Sequence, residues 1–103
     1  MTTIKIDNKK IGANYPVFIV AELSGNHNKS FERAKKMVKA ACQAGANAIK
    51  TQTYKPETMT IKSSKKWFQV KVNPVWEGRT LYDLYEWAYT PWEWLPELKS
   101  FPI

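Results

Sequence analysis

The fold of this 103-residue chain follows from one segment, FIVAELSGNHN, at residues 18–28. The apolar run at residues 17–21 predicts a strand that is covered on both faces, as in a parallel sheet. The run ends at the carboxylate of Glu22, and a loop of small and polar residues follows directly. Two interpretations stay open: the strand ends in a solvated glutamate, or it delivers an acid to a functional site.

A helix is predicted after this loop. Ser30 can cap its amino terminus. Apolar residues then recur at three- and four-residue spacing, at Phe31, Ala34, Val38, Ala41 and Cys42. Gly45 suits the left-handed residue that ends many helices. Cys42, the sole cysteine, lies on the apolar stripe, which favours core packing over a role as a nucleophile.

A second strand is predicted within ANAIKTQTY, residues 46–54. Strand, helix and strand in succession form a βαβ unit, which is parallel and right-handed in nearly all cases. Lys50 and Gln52 share one face of the second strand, since side chains alternate along it. Glu22 and Lys50 are therefore expected at the carboxyl ends of adjacent parallel strands. Barrels and open α/β sheets carry their chemistry at that edge.

The flanking segments complete the predicted organisation. Residues 1–15 read as a β-hairpin, residues 16–45 as the first βα unit, residues 46–79 as the second strand with a long loop, and residues 80–101 as helices. The loop at 57–79, with Trp67, Phe68 and Trp76, is either a binding loop or a cover for the core. Thr90 and Glu93 are predicted to form a capping box, and Pro96 to break the helix that follows.

Composition narrows the function classes. The formal net charge is +7. Many of the lysines, however, fall on the polar side of the predicted helix or cluster in one loop, and a solvated surface explains this distribution better than nucleic-acid binding does. The sequence shows neither a membrane-spanning run nor a secretory signal, and a single cysteine favours a reducing cytoplasm. With one histidine and one cysteine, no metal-ligand cluster is predicted.

Three blocks carry a specific resemblance. FIVAELSGNHN, AGANAIKTQTY and WEGRTLYDLYEWAYTPWEW resemble the amino-terminal part of the sialic acid synthase family, and the third block resembles its pseudaminic acid synthase branch. The resemblance implies the amino-terminal portion of a (β/α)₈ TIM barrel, which in the family precedes an antifreeze-like domain. It also implies condensation of phosphoenolpyruvate with an N-acetylated amino sugar, here a 2,4-diacetamido-trideoxy-altrose, to give pseudaminic acid and phosphate.

The resemblance also implies roles for individual residues. Glu22 corresponds to the active-site glutamate of the first strand, Lys50 to the lysine that contacts phosphoenolpyruvate, and Gln52 to the residue that binds the acceptor sugar. Asn26, His27 and Asn28 match the first βα loop, where His27 is expected to organise the loop by hydrogen bonding rather than to bind metal. The family uses Mn²⁺ or Mg²⁺, whose ligands are expected on later strands.

A complete barrel needs roughly 250 residues, so the chain is expected to be a fragment that is inactive alone. Two alternatives stay open within the family: a non-catalytic module that completes a barrel with a companion chain, and a fragment of an N-acetylneuraminate or legionaminate synthase-like enzyme. The expected protein partner is a second copy in a homodimer or a companion chain. A small basic nucleic-acid binder is the alternative outside the family, and it predicts salt-sensitive association.

Overall fold

The computed structural model describes residues 2–71 and 78–102 as a mixed α/β fold. The strands are β1 (Ile4–Ile6), β2 (Lys9–Ile11), β3 (Val20–Glu22) and β4 (Ala48–Lys50). The helices are α1 (Phe31–Gln43), α2 (Pro56–Met59), α3 (Leu81–Ala88) and α4 (Leu95–Lys99), with 3₁₀ turns at Lys66–Phe68 and Trp92–Trp94. Trp76 of the predicted loop lies outside the described residues. None of the described helices is long and apolar enough to cross a membrane.

The strands form two separate pairs. β1 and β2 pair antiparallel, with Ile4 opposite Ile11, and Asp7 in the intervening turn has a positive φ of 54°. β3 and β4 pair in parallel and are joined through α1, so the predicted βαβ unit is present. In this register Glu22 lies opposite Lys50.

Helix α1 begins and ends where its sequence signals predict. The Ser30 hydroxyl accepts a hydrogen bond from the backbone N–H of Arg33, at 3.2 Å. At the other end Gly45 has a φ of 93°, its N–H donates to the carbonyl of Cys42, and the N–H of Ala46 donates to that of Ala41. These are the two hydrogen bonds of a Schellman motif, which satisfy carbonyls that the helix leaves unpaired.

The strand β3 is shorter and more exposed than its sequence predicts. Residues 17–22 were expected to form a strand covered on both faces, but pairing begins at Val20, which is 47% exposed. The backbone N–H of Ile19 donates to the side-chain Oδ1 of Asn47 (2.7 Å) instead of entering the ladder. The prediction of full coverage is wrong for these residues, because Val17 is 81% exposed and Val20 keeps nearly half of its surface exposed among the described residues.

A small core lies beside the parallel pair. Its buried residues are Leu23, Ala34, Val38 and Leu98. Ile49 of β4 and Cys42 of α1 pack against them, in agreement with the packing role predicted for Cys42. Because Leu98 belongs to α4, the carboxyl-terminal segment folds back over the first βα unit.

The second half of the chain corrects two further predictions. Pro56 starts the short helix α2, and residues 57–79, predicted to be irregular, also contain a 3₁₀ turn and a bridge between Gln69 and Thr80. The capping box predicted at Thr90 is wrong, since the Trp92–Trp94 turn has no side-chain cap. A capping box instead begins α3, where Thr80 and Asp83 bond reciprocally at 3.1 and 3.4 Å.

Candidate active site

The carboxyl-terminal ends of β3 and β4, together with the loop that joins β3 to α1, are here called the mouth; it comprises residues 22–30 and 50–52. Its central feature is an acid–base pair. Parallel pairing sets Glu22 opposite Lys50 with both side chains on the same face of the sheet, and Lys50 Nζ donates to Glu22 Oε1 at 3.1 Å. The two residues that the sequence predicted to converge are therefore in direct contact.

This pair is accessible to solvent. The side chains of Lys50 and Glu22 are 59% and 58% exposed. An ion pair with that exposure contributes only about 0–1 kcal/mol to stability, because water screens the charges and two flexible side chains must be ordered. The carboxylate and the ammonium are thus available to an outside ligand at little cost in folding free energy.

Gln52 lies two residues beyond Lys50, with an exposed side chain. Its backbone carbonyl accepts a hydrogen bond from the N–H of Thr90, at 2.8 Å. The structure therefore attaches the carboxyl end of β4 to the segment that follows α3. Side-chain contact between Gln52 and the Glu22–Lys50 pair does not occur among the hydrogen bonds of the described residues.

The loop between β3 and α1 is a succession of tight turns. The N–H of Asn26 donates to the carbonyl of Leu23, and the N–H of Asn28 donates to that of Gly25. Ser24, Asn28 and Lys29 all have positive φ angles, between 51° and 59°. Asn26 and Asn28 are exposed, so the loop presents two amide side chains to solvent while its backbone is held internally.

His27 is the buried centre of this loop, with 0% of its surface exposed. The backbone N–H of Lys29 donates to His27 Nδ1 at 3.0 Å, and His27 Nε2 lies 3.1 Å from the hydroxyl Oγ1 of Thr90. The ring also meets Trp94 edge to face, with centroids 5.2 Å apart. Burial lowers the pKa of His27 below its usual value, and the nearby positive charge of Lys29 lowers it further.

Lys29 fastens the loop to the end of α3. Its ammonium donates to the backbone carbonyls of Glu86 and Tyr89, both at 3.2 Å, and lies 3.3 Å from the centroid of the Tyr89 ring. A cation at the carboxyl end of a helix also interacts favourably with the helix dipole. Burial lowers the pKa of Lys29, although the carboxylates of Glu93 and Glu86 partly oppose this shift.

Thr90 and Lys29 are functional candidates that sequence reasoning missed. TPWE has the form of a capping box, and this local pattern explained Thr90 without any distant contact. His27 and Thr90 are separated by 63 positions, so periodicity could not connect them. In the structure the Trp92–Trp94 turn has no side-chain cap, and the hydroxyl of Thr90 bonds His27 instead.

A divalent metal does not fit the described part of the chain. Within residues 2–71 and 78–102, no three His, Cys, Asp or Glu side chains group closely enough to hold an ion. His27, the only histidine of the sequence, has hydrogen-bonding partners at both ring nitrogens. Binding a metal there would require both the loop and Thr90 to be displaced.

Comparison with known proteins gives consistent matches. A model of the NeuB family matches residues 37–102. The pseudaminic acid synthase of Campylobacter jejuni is 55% identical over 78 residues, covering 76% of this chain and 22% of that protein. The pseudaminic acid synthase of Helicobacter pylori is 43% identical over 83 residues, covering 81% of this chain and 24% of that protein.

The fold has a solved counterpart in the spore coat polysaccharide biosynthesis protein SpsE of Bacillus subtilis. The TM-score is 0.58 at 29% identity, and the match covers 94% of this chain and 24% of that structure. An α/β protein with an acid–base pair at the ends of parallel strands is the class that the fold and the mouth define. Within that class the chain belongs to the NeuB family. It spans less than a quarter of the length of these two pseudaminic acid synthases.

Proposed function

We propose that this chain supplies the first strands of the active site of a (β/α)₈ synthase that joins phosphoenolpyruvate to an N-acetylated amino sugar. One observation carries the proposal: Glu22 and Lys50 meet at 3.1 Å at the paired ends of two parallel strands. Barrel enzymes place catalytic groups at this end of their strands. Membership of the NeuB family, with two relatives named pseudaminic acid synthase, supports the reaction class and favours a pseudaminic-type acceptor.

The chemistry of the pair suits that reaction. The ammonium of Lys50 can bind the carboxylate or the phosphate of phosphoenolpyruvate through charge-assisted hydrogen bonds. The carboxylate of Glu22 can orient the acceptor sugar or take part in proton transfer. Gln52, exposed and two residues beyond Lys50, offers an amide to the sugar.

The chain alone is expected to bind substrate weakly and not to turn it over. The Glu22–Lys50 pair is more than half exposed, so water competes for both charges. The described residues also contain no group of three His, Cys, Asp or Glu side chains that could hold the divalent metal expected from the family resemblance. Incubation with phosphoenolpyruvate, the altrose-type acceptor and Mn²⁺ should therefore release no phosphate. Turnover by the purified chain, abolished by Glu22→Gln, would contradict this expectation.

Binding of phosphoenolpyruvate tests the role of Lys50 directly. In an NMR titration, the ligand should shift the backbone amides of Glu22, Lys50 and Gln52, and Lys50→Met should weaken that response. Lys36→Met is the matched control, because Lys36 is an exposed lysine on α1. Equal responses in the two variants, or no response of the wild type at millimolar ligand, would refute the proposed contact.

A second candidate function is assembly with another polypeptide that supplies the later strands. An apolar groove of about 940 Å³ runs along the first βα unit. It is lined in part by Phe18, Val38, Ile49, Leu98 and Phe101. Val17 and Ile19, which precede β3, are 81% and 54% exposed. An apolar surface of this kind favours association.

Sedimentation and co-purification separate the two candidates. Assembly predicts a complex with a longer chain that carries the remaining strands and restores phosphate release. A strictly monomeric chain that gains no activity from such a partner would exclude this second candidate.

A further inference from the structure

We propose that Thr90 is a positioning residue of the mouth: it joins the carboxyl end of β4 to the loop after β3, and so holds Gln52 in a fixed relation to the loop that follows Glu22. The inference relies on the proposed function only in treating the mouth as the place where substrate binds.

Thr90 uses both its backbone and its side chain for this purpose. It is completely buried, its N–H donates to the carbonyl of Gln52 at 2.8 Å, and its hydroxyl lies 3.1 Å from His27 Nε2. The residue comes from the segment between α3 and the Trp92–Trp94 turn, so it belongs to neither of the strands that it connects. One residue thus contacts both segments that follow the two strands, the β4 side through its backbone N–H and the β3 side through its hydroxyl.

The direction of the hydrogen bonds follows from the backbone. The N–H of Lys29 can only donate, so His27 Nδ1, its partner at 3.0 Å, must be unprotonated. The neutral ring then carries its proton on Nε2 and donates it to the hydroxyl of Thr90. The Lys29 backbone thus selects the tautomer, the hydroxyl of Thr90 accepts from the protonated Nε2 and fixes the orientation of the ring, and the loop from residues 27 to 29 is held with it.

Close packing against α3 supports the same arrangement. A Cβ added at Gly25 would lie 3.1 Å from the Cβ of Ala88, so the loop and the end of α3 approach more closely than a larger residue accepts without a small shift. The ammonium of Lys29 bonds the carbonyls of Glu86 and Tyr89 beside this contact. Thr90 follows Tyr89 directly, and the α3 end therefore fixes the position from which Thr90 reaches His27.

If Thr90 only filled space, its hydroxyl group would not be needed. Buried polar groups cost free energy unless they are paired, so valine, with a similar shape, would fill the same volume more cheaply. Thr53 offers the comparison within the chain, because its hydroxyl is buried without a hydrogen-bonding partner in the described structure. Removing that hydroxyl should leave the mouth unchanged, whereas removing the hydroxyl of Thr90 should release His27.

The first test needs no variant. His27 is the only histidine, so its ring resonances are unambiguous in long-range ¹H–¹⁵N spectra of the whole chain at neutral pH. The proposal requires the tautomer with the proton on Nε2, and a slowly exchanging Hε2 resonance. A proton on Nδ1 overturns it.

The second test compares Thr90→Val, Thr90→Ser and the control Thr53→Val. In Thr90→Val the Hε2 resonance should disappear, and amide exchange at Lys29 should accelerate about tenfold, the effect of losing roughly one buried hydrogen bond. Thr90→Ser should restore both, and Thr53→Val should change neither. Exchange at Val38 in α1 should stay constant, which distinguishes a local release from general unfolding.

Three results would overturn the proposal: unchanged Lys29 exchange in Thr90→Val, equal acceleration at Val38, or failure of serine to restore the Hε2 resonance. If Thr90→Val does not fold, the tautomer of the wild type and the behaviour of Thr90→Ser decide the matter. The phosphoenolpyruvate titration tests the proposed function and is independent of these measurements on Thr90. If the wild type shows no response to phosphoenolpyruvate, the proposed function is wrong. The His27 and Lys29 measurements would still decide whether Thr90 fixes the loop.

Discussion

Mild acidification is predicted to destabilise the chain through His27. The native structure requires this ring to be neutral, because Nδ1 accepts a hydrogen bond from the N–H of Lys29. Protonation would turn that acceptor into a second donor facing a donor, inside a fully buried site and near the ammonium of Lys29. Burial first, and the charge of Lys29 second, lower the pKa of His27 below 6.5 in the folded chain.

The sign and the pH window follow from this direction. Above pH 6.5 the ring is neutral in both states, so the native contacts of His27 stabilise the fold fully. Below 6.5, the ordinary pKa of histidine, the unfolded chain binds a proton that the native chain does not. The free energy of unfolding then falls with decreasing pH, by at most about 1.4 kcal/mol per pH unit for one proton. The fall ends below the native pKa.

Urea unfolding followed by tryptophan fluorescence measures this dependence, since the chain has five tryptophans. His27→Gln is the matched variant, because glutamine keeps a donor and an acceptor but does not titrate in this range. The wild type should lose stability faster than His27→Gln between about pH 6.5 and 5. Equal slopes, or a native imidazole pKa at or above 6.5 by NMR, would refute the argument. Added salt should weaken only the contribution of Lys29.

Three further predictions concern the core, the mouth and a turn. Leu23→Ala should cost about 2–5 kcal/mol of unfolding free energy, because Leu23 is 2% exposed in the core; a urea midpoint near that of the wild type would contradict this. A double-mutant cycle with Glu22→Gln and Lys50→Met should give a coupling of at most about 1 kcal/mol, and a larger value would mean a less exposed pair than observed. Gly45→Ala should cost about 1 kcal/mol in thermal unfolding because φ is 93° there, whereas an unchanged midpoint would show that the turn adapts.

Much of the first βα unit could be predicted from sequence because its signals are local. Ser30 and Gly45 act within one helical turn, and both do what their residue types predict. The meeting of Glu22 and Lys50 required one more inference, that the strands are parallel and equally registered. The short connection through α1 made that inference sound, and the register places the two residues opposite each other.

The coverage of β3 could not be predicted in the same way. An apolar run indicates that a strand can be buried, but what buries it depends on elements elsewhere. In the described residues, Ile49 of β4 packs on the core while Val20 of β3 stays 47% exposed. The sequence pattern correctly indicated a strand, yet it could not say which of its faces this chain covers.

The contact of His27 with Thr90 was beyond local reasoning for a different reason. The neighbouring sequence already explained each residue: His27 as part of the loop and Thr90 as a helix cap. A hydroxyl can cap a helix or bond a distant ring with similar free energy, so chemistry alone does not choose between them. The choice depends on where α3 ends, because its last turn brings Thr90 to the loop.

The two sides of the βα unit are therefore held by different forces, and this has a consequence for function. Apolar contacts of Leu23, Val38 and Leu98 hold the helix side, while hydrogen bonds of His27, Lys29 and Thr90 hold the mouth. Apolar packing tolerates small shifts, but hydrogen bonds weaken steeply with distance and angle. The geometry of the loop after Glu22 is thus specified by its polar contacts, each of which contributes about 1 kcal/mol when paired. Substitutions at Thr90 should consequently alter the mouth before they unfold the chain, whereas substitutions at Leu23 should do both together.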